Sequence, residues 1–278
     1  MSIHYQKYSP TGNVTLLVTT PVPRKDQPGI AARLLGPGGV GGEQAGFIEP
    51  AGDARCPARL QLLGVEICGN ATMSLGAMLA RRAGLAEGGE MAVELEVSGS
   101  AIPVPCRIRR EGEGWVGTVE MPLPTDVGEA TLATDAGRLT VPLVRLPGIA
   151  HLIIPAEAGL DEEQLRRSLP LWNGEIGADA IGALRFDAAS MTMDPLVYVP
   201  STGTLVREHG CGSGTAAVGC HLAVEAGRAI EASVRQPGGT ITVRAALSGK
   251  DVTRLVITGR VTLMEEGDWD DGSDADDF

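Results

Sequence analysis

Aromatic residues are scarce in this chain. Phe, Trp and Tyr make up 3% of 278 residues, against 43% hydrophobic residues overall. Any core must therefore be packed from aliphatic side chains. No apolar run approaches the ~20 residues of a membrane-spanning helix. The start, MSIHYQKYSP, lacks the basic and apolar segments of a secretory leader. A cytoplasmic protein with no membrane partner is the expectation. No stretch is basic enough for nucleic acid. Cysteines number only five, an odd count that suits a reduced compartment better than a disulfide framework. Cys220-His221 and His209-x-Cys211 have no second pair at ligand spacing, so no metal is expected. Gly36, Gly38 and Gly41 fit the spacing of a dinucleotide fingerprint. That fingerprint needs a strand before it and a helix after it, and here the order is reversed. No cofactor is expected.

Glycine is abundant, at 38 residues, and 18 prolines are scattered with it, which indicates many turns and short strands. Net charge is −12, but residues 265–278, EEGDWDDGSDADDF, hold eight acids and no base, leaving −4 on the body. This end reads as a disordered acidic tail. Strand-like stretches fill residues 3–20, 45–50, 58–67, 91–124, 129–154, 196–210 and 232–266. Helical signals lie at 29–35 and 160–169.

One run is used twice. Residues 68–86, CGNATMSLGAMLARRAGLA, and residues 211–229, CGSGTAAVGCHLAVEAGRA, are identical at nine of nineteen positions. Each copy is a cysteine, a small-residue turn, an Ala/Leu-rich helix and a closing glycine. This is an internal duplication. The fold class expected is α+β, two similar domains, each mostly β around one central helix. Their boundaries are set at 1–125 and 126–264, with the tail at 265–278.

A cysteine at a helix N-terminus feels the positive end of the helix dipole and unpaired N–H groups, which favours the thiolate. Small residues behind it let an anion approach the backbone donors. If the two copies face each other, they clamp a carboxylate and place one sulfur on each side of the adjacent carbon. Moving a proton through a stereocentre requires that: a base on one face and an acid on the other. The bland alternative is a pair of buried core thiols. Cys56, Cys106 and Cys220 lack the helix-start context and read as core.

The pair CGNAT and CGSGT resembles the diaminopimelate epimerase superfamily of cofactor-independent racemases. KYSPTGN, GVGGEQAGFIEP, LPGIAHLII and QPGGTITV are similar to further segments of that superfamily along nearly the whole chain. The resemblance implies two pseudo-symmetric domains, each a β-barrel around a central helix, with the site between them. It implies Cys68 and Cys211 as the acid/base pair. Substrate contacts would come from Asn13, Glu43, Gln44, Gly69, Asn70, Gly212, Ser213, Gly214 and Thr215. His151, Tyr198 and Glu208 are further pocket candidates.

Three departures matter. An Asn of the superfamily is Ile149 here, its Glu-Arg pair falls at Thr202 and Gly203, and another Asn falls at Arg59. These argue against diaminopimelate itself. YSPTGN, Glu43-Gln44 and Glu66-x-Cys68 look instead like the branch that makes D-histidine for opine metallophores. The expected partner is a small amino-acid substrate, and a homodimer is left open. The alternatives are an epimerase of diaminopimelate or of proline-type substrates, and an idle carboxylate-binding protein.

Overall fold

The computed structural model describes residues 1–64 and 67–270. The elements run β1 (Ser2–Pro10), β2 (Thr15–Val18), α1 (Gln27–Leu35), β3 (Gln44–Glu49), β4 (Arg59–Gln61), α2 (Gly69–Arg82), β5 (Glu90–Val97), β6 (Val104–Glu111) and β7 (Gly114–Glu120). They continue with β8 (Asp126–Thr134), β9 (Gly137–Leu146), β10 (Ile149–Pro155), α3 (Glu162–Ile176), β11 (Ile181–Asp187), β12 (Thr192–Val199), β13 (Thr204–Arg207), α4 (Gly212–Ala226), β14 (Ile230–Gln236), β15 (Gly239–Ser248) and β16 (Asp251–Asp270). Among the described residues no helix is long and apolar enough to cross a membrane.

The chain forms two compact units, Met1–Val119 with the residues from Gly259 on, and Glu120–Thr258. The expected boundary near 125 thus falls at 119/120, and the first unit recruits a second piece of chain. In that unit the strands run in the order β1 to β7, and β16 bonds to both β7 and β1, closing the ring. Helix α2 fills the ring: eleven of its fourteen residues are buried. Gly76 lets it press on β6, because a Cβ there would lie 2.8 Å from Cys106 Sγ and from Ile108.

In the second unit the order is β8-β9-β10-β11-β12-β14-β15, with β13 also on β12. Helix α4 packs on β15, β9, β14 and β10. Gly219 stands where Gly76 stands in the repeat, and a Cβ on it would lie 2.4 Å from Val243 of β15. The closing glycines match as well: Gly84 and Gly227 take φ +66° and +63°. The next residues, Leu85 and Arg228, donate back to Ala80 and Ala223, the bond that ends a helix on a left-handed glycine. The repeated letters are therefore repeated structural jobs.

Three expectations need correction. Among the described residues of the 58–67 stretch, only Arg59–Gln61 is strand. Helix α3 runs on through Pro170 to Ile176. The acidic tail is strand as far as Asp270: Ser2 to Lys7 pair with Asp270 to Glu265. Its acids have partners on the fold, with Tyr5 Oη donating to Glu265 at 2.5 Å and Gln6 Nε2 to Glu266 at 2.8 Å. Arg81 meets Glu266 at 2.8 Å. Trp269 packs against the cluster around Ile3, Tyr5 and Phe47. Residues 271–278 of the expected tail lie outside the described residues.

Candidate active site

In the first unit, Cys68 is the N-cap of α2, with φ −97° and ψ 105°. Its carbonyl accepts from Thr72 N at 3.0 Å and from Thr72 Oγ1 at 2.8 Å. Its sulfur lies 3.2 Å from Gln44 Nε2. The same amide donates to Asn13 Oδ1 at 2.6 Å and Thr15 Oγ1 at 3.0 Å, and Asn13 Nδ2 donates to Glu43 at 2.8 Å. Asn13 is delivered by a tight turn. Thr11 and Gly12 both take positive φ, 51° and 82°, and Asn13 N returns to Pro10 O at 3.1 Å. A β-branched residue at positive φ is strained, and such strain persists where the surroundings fix it. Here Thr11 N is pinned to Arg260 O at 2.9 Å.

In the second unit, Cys211 is the N-cap of α4, with φ −100° and ψ 105°. Thr215 repeats the role of Thr72, bonding the Cys211 carbonyl through N at 3.0 Å and Oγ1 at 2.7 Å. The sulfur has different company. Gly214 N donates to it at 3.2 Å and Ser213 Oγ lies 3.6 Å away. Burial pushes this thiol well above its ordinary pKa, and the Glu208 carboxylate adds to the effect by its charge and by accepting the S–H. Ser213 and Gly214 oppose the shift and lose. Burial and Glu208 thus work against the thiolate that a helix start favours at Cys211.

The two units carry the sequence candidates unevenly. Asn13, Glu43 and Gln44 join Cys68; Glu208, Ser213 and Gly214 join Cys211. Gly69 and Gly212 open the two helices, where N–H groups have no acceptor within the helix. Asn70 follows Gly69 in the first turn and is buried. Thr215 is fully buried, with its hydroxyl bonded to the Cys211 carbonyl. His151 is also fully buried, and it supports Ser213 from behind with Nε2 3.0 Å from Ser213 Oγ. Burial pushes its pKa down to about 3, so the ring is neutral. It fits only because Gly182 has no side chain: a Cβ there would lie 2.3 Å from Nδ1.

Tyr198 is not at the site. It packs with Ile181, Ala183 and Leu196 against the α3 cluster, on the face of the sheet opposite Leu184, which meets Gly214. Thr202 and Gly203 form an exposed turn between β12 and β13. Sequence reasoning missed Gln236. It accepts from Cys211 N at 2.6 Å and donates to Thr215 Oγ1 at 2.8 Å, fixing the start of α4 from a strand 25 residues away. No local signal marks that role.

Comparison with known proteins adds the family. The model of the histidine racemase CntK N-terminal domain matches residues 2–269. A histidine racemase of Staphylococcus aureus is 29% identical over 278 residues, 95% of this chain and 96% of its own length. One from Fusobacterium nucleatum is 26% identical, covering 95% of each. Among solved structures, a hydroxyproline epimerase from Agrobacterium vitis shares the fold with a TM-score of 0.72 at 17% identity, over 96% of this chain and 92% of that one.

Proposed function

Because the chain belongs to the histidine racemase CntK family, and is thus an isomerase of the amino-acid racemase class, we propose that it interconverts L- and D-histidine with Cys68 and Cys211 as its acid/base pair. The observation that carries the two-thiol reading is the matched geometry of the two caps. Both cysteines hold the same backbone conformation within 3° in φ, and both have a threonine locked to their carbonyl.

The environments of the sulfurs differ in a useful sense. Cys68 has an amide donor aimed at its sulfur, an arrangement complementary to a thiolate. Cys211 is held as a thiol. In our reading Cys68 removes the α-proton, backbone N–H groups at the helix starts stabilise the enediolate charge on the carboxylate, and Cys211 returns a proton to the opposite face. Product release leaves the protons exchanged, ready for the reverse direction. Glu43, fixed by Asn13, accepts from the substrate imidazole. Ile149, buried where the superfamily has an Asn, offers no polar group to a second amino-acid head group, which would be buried unpaired. Diaminopimelate is therefore a poor substrate in this reading, and the D-histidine goes into an opine metallophore.

The test is incubation with L-histidine, L-proline and meso-diaminopimelate in D₂O, read by loss of the Cα proton and by chiral chromatography. Histidine should lose its Cα proton and become racemic, and Cys68→Ala and Cys211→Ala should each abolish this. Exchange of another amino acid with histidine untouched overturns the substrate. Near-parent rates in either cysteine variant overturn the mechanism.

A further inference from the structure

The second unit has a cavity of about 360 Å³ on the face of β11 and β12 that carries Ile181, Ala183 and Arg185. This is the face opposite Gly182 and Leu184, which meet His151 and Gly214. The guanidiniums of the cavity are therefore on the far side of the sheet from Cys211, and Gln236, at one edge of the lining, is the residue that reaches it. Three guanidiniums line the cavity, those of Arg185, Arg207 and Arg235, with two carboxylates, Asp187 and Asp194.

The charges do not cancel. Asp194 serves two arginines, accepting from Arg185 at 2.6 Å and from Arg207 at 2.7 and 3.1 Å. Arg207 also has Glu162 at 3.9 Å. Asp187 is taken up by Ser190 Oγ at 2.7 Å and by the N–H groups of Ala189 and Ser190. Arg235 has no acidic partner among the described residues; its guanidinium gives one bond, to Ser190 O at 3.1 Å. Gln236 also lines the cavity, but its amide is spent on Cys211 and Thr215. The donors left over are therefore guanidinium N–H groups, on a chain whose net charge is −12. Planar guanidinium donors around a cavity match the oxygens of a carboxylate or a phosphate.

We propose that this cavity binds a small molecule through an oxyanion group, a phosphate or a carboxylate, held between Arg185 and Arg235. The test is calorimetric titration of inorganic phosphate and of succinate into the full chain at low ionic strength, with chloride at matched ionic strength as control. Saturable binding of either anion is expected, and which of them binds tells the two chemistries apart. Arg235→Gln should weaken it about tenfold, the loss of one charge-assisted contact, while Ser213→Ala leaves it unchanged. Arg185→Gln is the second variant should Arg235→Gln not fold. The proposal is overturned if neither anion saturates, if binding survives both arginine substitutions, or if it vanishes in Ser213→Ala, which would place the anion at the start of α4. None of these readouts depends on the racemase reading.

Discussion

Gly182→Ala is the sharpest probe of how the surroundings of Cys211 are held. The new methyl would lie 2.3 Å from His151 Nδ1 and 2.8 Å from Cε1, where ordinary contact begins above 3.4 Å. The ring must retreat by about 1 Å, yet it is fully buried and has nowhere empty to go. Retreat also breaks its 3.0 Å bond to Ser213. Overpacking costs about 1–3 kcal/mol and the lost hydrogen bond about 0.5–1.5 kcal/mol. Together they predict a loss of about 1.5–4.5 kcal/mol, and a melting temperature lower by roughly 3–18 °C. The control is the double variant. His151→Ala leaves a hole and destabilises on its own, but it also removes the clash. Gly182→Ala with His151→Ala should therefore be more stable than the sum of the single effects by about 1–3 kcal/mol. Circular-dichroism melts of the four chains decide it. A parental melting temperature for Gly182→Ala, or strict additivity in the double variant, would refute the packing argument.

Three further outcomes are expected. Trp269→Ala should lower the melting temperature by roughly 2–6 °C, because partial burial of a large side chain contributes about 1–2 kcal/mol; no change would return this stretch to solvent. His151 has a folded pKa of about 3 against about 6.5 unfolded, so the unfolded chain binds the extra proton as pH falls. Its contribution is present above pH 6.5 and is lost at about 1.4 kcal/mol per unit from there down towards pH 3; denaturant titrations should show His151→Gln flattening that slope. Glu208→Gln removes the negative charge that helps hold Cys211 protonated, so mass mapping should find Cys211 alkylated faster at neutral pH, and an unchanged rate would remove Glu208 from the account.

What could be read from the sequence was whatever is written twice. Cys68 and Cys211, the glycines that touch a neighbouring strand, and the glycines that end each helix perform equal tasks at equal spacing, so the letters coincide. Partners supplied from far along the chain were harder. Gln44 was found only by resemblance, and Gln236 was read as plain strand although it anchors Cys211. Tyr198 sits on a strand as expected, but which face a strand residue occupies depends on register, and a one-residue shift reverses it. His151 was placed in the pocket because nothing in the sequence shows that a glycine on the neighbouring strand makes room to bury it. The acidic end misled because composition argues for solvation, while the Tyr, Gln and Arg side chains that receive its acids lie up to about 260 residues earlier.

The two crossings of the chain between units set an order of assembly. Residues 120–258 form an unbroken segment, so the second unit has all its strands as soon as that segment has been synthesised. The first unit does not. Its β1 waits for residues 261–270, the last of the described chain to leave the ribosome, and domains that fold during synthesis do so in the order their chain is complete. The half that carries Cys68 is begun first and finished last, and until then β1 presents an open edge to its surroundings.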